Sequence, residues 1–155
     1  MAPIRFCLTI TSTKCVFNTL VKPLLDYTDA AWGELSEGWK NDLQRIQNRG
    51  ARIILQVSSS ENTFFKLGWL PLMQWRIIQQ CCLVFKCLHN LAPEYFANYY
   101  TRNSEVHRYG TRSRNDIHIP RFKLELGKRM SKYAGAKHYN ELPGDIKTAT
   151  TLYSF

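Results

Sequence analysis

The segment from Trp39 to Val57 constrains the fold more than any other stretch of the chain. Trp39, Leu43, Ile46, Gly50, Ile53 and Val57 follow one another at steps of four, three, four, three and four. That spacing sets them along one stripe of an α-helix about 28 Å long at 1.5 Å per residue. An apolar stripe needs a second surface to cover it, and the chain offers two more helical periods. From Cys15 to Trp32 the positions Val16, Leu20, Leu24, Tyr27 and Ala31 recur every three or four residues. Pro23 removes a backbone donor there and predicts a kink, or two short helices meeting near Val21–Pro23. From Leu72 to about Asn90, Met73, Ile77, Cys81, Val84, Phe85 and Leu88 share a face that Ile78 and Cys82 widen. A stripe that broad predicts burial on two sides. Gly50 costs about 1 kcal/mol against Ala inside a helix, and it predicts the close approach of another backbone.

The punctuation between these periods is equally readable. Gly33 and Gly38 bracket a turn, with Ser36 as the expected N-cap of the helix that follows. The run SSSENT at 58–63 is a linker or capping turn, and a short helix is expected from Glu61 to Leu67. Pro93 opens another through Tyr100, in the first-turn position that proline tolerates. Beyond Tyr100 the chain turns polar, with Gly110 and Pro120 as breaks. Only DIHIPRF at 116–122 alternates like a short strand. Helical spacing returns from Gly127 to Leu142 and stops at Pro143–Gly144, and LYSF at 152–155 reads as the first turn of a further helix. The expected fold is therefore mainly α. A small helical bundle spans 15–100, and a basic, largely irregular segment follows at 101–155 with a C-terminal helix near 127–142. Residues 1–14 stand apart. An apolar content of 45% over 155 residues suits one domain with a real core.

Charge is distributed unevenly. Between Thr101 and Asn140 lie ten Lys and Arg residues against Glu105, Asp116 and Glu125, a balance of +7 out of +9 for the whole chain. Tyr109, Phe122, Tyr133 and Tyr139 are interleaved with them. Cations that neutralise phosphate, set among rings that stack on bases, are the equipment of a nucleic-acid-binding surface. A solvated basic segment on an unrelated domain competes with that reading. Arg45, Arg49 and Arg52 line one flank of the Trp39–Val57 helix, as a solvated face or as a phosphate-contacting ridge. No apolar run approaches the ~20 residues of a spanning helix. The patch from Phe6 to Ile10 is too short and too rich in threonine for a signal-peptide core. An intracellular protein, in cytoplasm or nucleus and without a membrane partner, is the expectation.

Catalytic chemistry is harder to find. Asp26 and Asp29 stand at i, i+3 after a helical run, the position of helix-end acids rather than of paired metal-binding aspartates on a strand turn. Cys81, Cys82 and Cys87 point in different directions on one helix and only Cys82 shares a face with His89, so core cysteines are expected rather than a zinc knuckle. Neither a hydrolytic triad, a glycine-rich phosphate loop nor an HExxH sequence occurs. The chain is not expected to act as an enzyme on its own, and no cofactor or metal is implied.

Several segments in order resemble one family. They are FNTLVKPLLDYTDAAWG at 17–33, LQRIQNRGARIIL at 43–55, LGWLPL at 67–72, FKCLHNLAPEYF at 85–96, TRNSEVHRYGTRSRNDIHIPRFKLELGKR at 101–129 and AGAKHYNELPGDIKTATTLYSF at 134–155. Together they resemble the region downstream of the catalytic palm in non-LTR (LINE-type) retrotransposon reverse transcriptases, the jockey-like elements above all. Gly50, Thr28 and Tyr139 depart from that family's usual Ala, Cys and Trp. The resemblance implies a thumb and C-terminal region whose polymerase palm, with its aspartates, lies upstream in the parent protein. DYTD at 26–29 does not stand in for those aspartates.

The expected function is a non-catalytic fragment of an RNA-directed DNA polymerase that binds RNA, or RNA–DNA or DNA duplex, through backbone phosphates. The expected contacts are Arg108, Arg112, Arg114, Arg121, Lys123, Lys128, Arg129 and Lys132, then Arg45, Arg49 and Arg52. Tyr109 and Tyr133 are candidates for base stacking, with helix-core packing the competing role for Tyr133. The alternative is an all-α structural or protein-interaction fragment with no nucleic-acid role.

Overall fold

A computed structural model describes residues 8–27, 36–58 and 63–155. The chain is mainly α. Among the described residues strand pairing is limited to one isolated antiparallel bridge between Arg102 and Ile117. The elements are α1 (Ile10–Val16), a π-helical turn (Phe17–Val21), α2 (Lys22–Asp26), α3 (Glu37–Leu55), α4 (Thr63–Leu67), α5 (Leu72–Leu88), a 3-10 turn (Glu94–Phe96), α6 (Asn103–Val106), α7 (Glu125–Lys128), α8 (Ser131–Glu141) and α9 (Gly144–Lys147). They fall into two compact units. The first comprises the described residues through Arg76, and the second runs from Ile77 to Phe155.

In the first unit the expected disturbance at Pro23 takes a definite form. The Lys22 N–H bonds back to Phe17 O, five residues earlier, so the helix widens for one turn directly before the proline. The helical run starts earlier than expected, inside the 1–14 segment. Thr9 Oγ1 accepts from the Ser12 N–H at 3.2 Å and caps α1 at Ile10. Residues 28–35, including the Gly33 turn, and most of the 58–63 linker lie outside the described residues. Ser36 does precede α3, but its side chain makes no capping hydrogen bond.

The buried face of α3 is rotated from the predicted stripe. Gln47, Gly50, Ala51 and Ile54 are buried, whereas Trp39, Ile46 and Ile53 are exposed, Trp39 at 66%. Two glutamines explain the rotation. Gln47 Nε2 donates to Leu70 O at 3.0 Å, and Gln44 Oε1 accepts from the Leu72 N–H at 3.0 Å, capping α5 from outside its own sequence. Gln44 Nε2 donates in turn to Gln47 Oε1 at 2.8 Å. Buried amides are tolerated when each polar atom has such a partner. Ala51, Ile54 and Leu67 form the core, with Phe17, Phe64 and Trp69 packed on it. At the end of α4, Gly68 takes φ +64 while the Trp69 N–H returns to Phe64 O, and Lys14 Nζ binds Leu67 O at 2.8 Å.

The second unit gathers around Val84, Phe85, Tyr100, Ile117, Ala136 and Tyr139. The expected two-sided burial of the long helix is not met in its N-terminal half, because Ile77 and Ile78 are exposed. Pro93 introduces only a 3-10 turn that ends at Phe96, since the backbone leaves helical geometry at Ala97. The 116–122 alternation yields the single bridge at Ile117 rather than a strand. The helix expected near 127–142 is divided into α7 and α8 by a break at Arg129–Met130. At 152–155 the chain makes a turn instead of a helix. There Phe155 stacks on Phe85, with centroids 4.6 Å apart. The small residues Ala134, Gly135 and Ala136 let α8 sit close to its neighbours, and the Tyr100 hydroxyl donates to Ser131 O at 2.9 Å.

Gly50 faces an aromatic ring rather than the expected backbone. A Cβ at this position would lie 2.8 Å from Phe17 Cζ, inside contact distance, and the ring is held against Trp69 at 4.9 Å between centroids. Gly50→Ala should therefore destabilise the chain, because overpacking of about 1–3 kcal/mol outweighs the ~1 kcal/mol gained in helix propensity. Urea denaturation of Gly50→Ala with and without Phe17→Leu checks this. The alanine should cost less once the ring is gone.

Candidate nucleic-acid interface

The basic segment is more ordered than its composition suggests. From Thr101 to His118 the chain folds back on itself through the Arg102–Ile117 bridge. The His118 N–H bonds Thr101 O at 2.8 Å, the Asn103 N–H bonds Asp116 O at 2.9 Å, and the Ser104 N–H bonds Arg114 O at 3.0 Å. Side chains reinforce the loop. Asn103 Nδ2 donates to Ser113 O and the Arg102 guanidinium to Asn115 O, each at 2.9 Å. Asn140 of α8 then clamps Ile117, donating to its carbonyl at 2.9 Å and accepting from its N–H at 2.8 Å. Lys147 Nζ closes the base of the loop on Asn140 O at 2.6 Å and Asp116 Oδ1 at 3.4 Å.

On this frame Arg108, Tyr109, Arg112 and Arg114 are exposed, Tyr109 at 77%. Among the described residues none of these three arginines makes an ion pair. They stand on a backbone whose position is set by hydrogen bonds. A second group surrounds α7. Arg121, Lys123 and Arg129 are exposed, while Lys128 Nζ lies 2.6 Å from Glu125 Oε1. That hydrogen bond raises the lysine's pKa and lowers the glutamate's, so part of the Lys128 charge is already answered. Lys132 is half-buried, with its ammonium 5.4 Å from the centre of the Tyr99 ring. Tyr133 is half-buried with its ring edge-on to Phe122, so the packing role is its observed one. In the first unit Arg45, Arg49 and Arg52 are exposed along α3, and Arg45 pairs with Asp42 at 2.9 Å.

The groups considered for metal or nucleophilic chemistry are placed otherwise. Cys81 is buried, and burial pushes its thiol up to about 11, while Cys82 and Cys87 are raised by the same cause. These are poor thiolates and poor ligands at neutral pH. Among the described residues no group of His, Cys, Asp and Glu is arranged to hold a metal ion, and no helix is long and apolar enough to cross a membrane. Asp26 lies in the first unit, on a cavity of about 110 Å³ that Lys22, Trp69 and Trp75 also line. Lys22 Nζ stands 4.5 Å above the Trp75 ring. No protein-family model, curated protein or solved structure matches the chain.

Asn140 and Asn103 are the residues that sequence reasoning missed. Neither stands in a recognisable motif, and each acts on a distant backbone. Asn140→Ala should remove about 2–3 kcal/mol of stability by orphaning both backbone groups of Ile117, and should speed amide exchange across 102–117. Hydrogen exchange read by mass spectrometry checks the location of the loss as well as its size.

Asp26 gives a pH signature. Burial raises its pKa above the ordinary 3.8, outweighing the pull of Lys22, Arg76 and the Trp75 hydrogen bond. The folded chain thus holds a proton that the unfolded chain has already released, and stability falls as pH rises from 3.8 through the folded-state value. Asp26→Asn should therefore stabilise the chain at pH 7 and lose that advantage near pH 3, measured by thermal denaturation at both values.

Proposed function

We propose that the chain is a non-catalytic nucleic-acid-binding module, akin to the thumb and C-terminal region of a non-LTR retrotransposon reverse transcriptase. It holds RNA, or RNA–DNA or DNA duplex, by its phosphates, in the cytoplasm or nucleus. The observation that carries this reading is the hydrogen-bonded loop at 101–118, which presents Arg108, Arg112 and Arg114 without acidic partners among the described residues. Three guanidinium groups on a pinned backbone can each take two phosphate oxygens, and little ordering entropy is then lost on contact. Arg121, Lys123 and Arg129 extend the positive surface, and Tyr109 offers a ring to an unpaired base. Copying a strand would fall to a palm elsewhere in a parent protein, and primer extension by this chain alone would overturn the reading.

A protein-interaction role is the second reading, favoured by Leu124 and Leu126, which stand 72% and 73% exposed beside the cations of α7. Titration with short RNA and DNA against an acidic polypeptide of equal charge separates the two. For nucleic acid, log affinity should fall by about 0.7–0.9 per phosphate neutralised as log salt rises, with little sequence preference from the backbone contacts. Arg112→Glu combined with Arg114→Glu should flatten that slope by about 1.4–1.8. An unchanged slope, or tighter binding to the polypeptide, would reject the proposal.

A further inference from the structure

The apolar stripe that opens α3 to view in the sequence is left uncovered on one edge of the helix. Trp39, Ile46 and Ile53 are exposed, the two isoleucines at 47% and 38%, and none of the three joins the core of the first unit. They follow one another at intervals of seven, and exposed Val57 continues the row four residues on. At 100° per residue they form one line, about 21 Å long from Trp39 to Ile53. That line runs between the buried face at Gln47, Ala51 and Ile54 and the flank that carries Arg45, Arg49 and Arg52. Single exposed apolar residues are ordinary, but a row of them on one helix marks an interaction surface.

The form of the row selects the shape of its occupant. It is one side chain wide at each level, so it offers a line of contact rather than a plane. A second α-helix crossing at about +20° meets such a line every seven residues and sets its own apolar side chains between the exposed ones. The charge beside the row selects the chemistry. Asp42, the one acid on that flank, is already held by Arg45 at 2.9 Å. Arg49 and Arg52 make no ion pair among the described residues. Carboxylates at the edge positions of an approaching helix would answer them, whereas a second copy of this chain would bring the same excess of cations. We infer that this edge of α3 is a docking site for an acidic amphipathic helix of a partner protein. That helix lies along Trp39, Ile46 and Ile53 with its carboxylates toward Arg49 and Arg52. The site belongs to the first unit and does not rest on the nucleic-acid reading, whose loop lies in the second.

Two synthetic helical peptides of three heptads test this, both with leucine at the a and d positions. One carries glutamate and the other lysine at e and g. Titrated into the full chain, the glutamate peptide should bind about tenfold or more tighter than the lysine peptide and shift tryptophan emission to the blue as Trp39 leaves water. Ile46→Lys changes an exposed position, so its circular dichroism should match the parent chain while its affinity for the glutamate peptide falls about tenfold or more. Arg49→Glu with Arg52→Glu should reverse the preference between the peptides. Arg112→Glu with Arg114→Glu should leave both affinities unchanged, so failure of the phosphate surface and failure of this site are separately visible. Equal binding of the two peptides, or glutamate-peptide binding that survives Ile46→Lys, would overturn the proposal. So would either of two reassignments. A dimer in sedimentation that Ile46→Lys breaks gives the row to a second copy, and an Arg49→Glu, Arg52→Glu variant that loses RNA but keeps the glutamate peptide gives the flank to nucleic acid.

Discussion

The clamp of Asn140 on Ile117 is the contact on which the second unit turns. One side-chain amide answers both backbone groups of a buried residue, as a neighbouring strand would, at 2.8 and 2.9 Å. Ile117 can then sit in the core beside Tyr139 and Ala136, although no sheet surrounds it. Because Ile117 also bridges Arg102, the same contact anchors the loop that carries Arg108, Arg112 and Arg114. Hydrophobic burial and the placement of surface charge are joined at one residue. This is why a segment so rich in cations holds a definite path, where self-repulsion would otherwise favour an extended chain.

The first unit solves a different problem by similar means. Its main helix buries two neighbouring surfaces, one of rings and one of amides. Phe17 fits against the bare Cα of Gly50, while Gln44 and Gln47 satisfy the backbone that leads into α5. A buried glutamine loses hydration but regains it from fixed partners, whereas an exposed tryptophan loses little by remaining in water. The amide contacts therefore decide which face of α3 turns inward, and Trp39, Ile46 and Ile53 are left outside.

These two contacts also mark where a sequence stops being legible. The long helical periods at 39–57 and 72–90 and the disturbance at Pro23 are local, and spacing reads their existence. Charge density and breaks after Tyr100 are also properties of neighbouring residues, yet the residues on both sides of Tyr100 pack in one compact unit from Ile77 to Phe155. The orientation of α3 is not local, since it depends on the Leu70 carbonyl, 23 positions away from Gln47. A period of 3.6 names a stripe but does not say whether the stripe or the polar positions beside it have partners waiting. The loop at 101–118 escapes for the same reason: Asn140 lies 23 residues from Ile117, and an asparagine inside a helix carries no signal of its target. Charge, by contrast, was readable in amount but not in availability. Lys128 and Arg45 are partly neutralised by acids three residues away, a pairing that helical spacing alone predicts once the helices are placed.

Availability ranks the cations in a way that counting does not. An arginine already paired must give up a partner before it meets a phosphate, so its net contribution shrinks by the strength of the old contact. An arginine on a mobile tail keeps its charge but must be ordered on binding. Arg112 and Arg114 escape both penalties, since Asn103 and Ser104 hold the backbone around them and no acid among the described residues holds their side chains. Lys132 sits at the other extreme, committed to the Tyr99 ring on a half-buried helix face. The +7 of the segment is thus unequal in its use. The cations that make no ion pair among the described residues of the loop stand where backbone hydrogen bonds, rather than apolar packing, do the positioning. That suits an anion recognised by shape and charge: hydrogen-bonded backbone can reach out past the core into solvent, and apolar packing cannot.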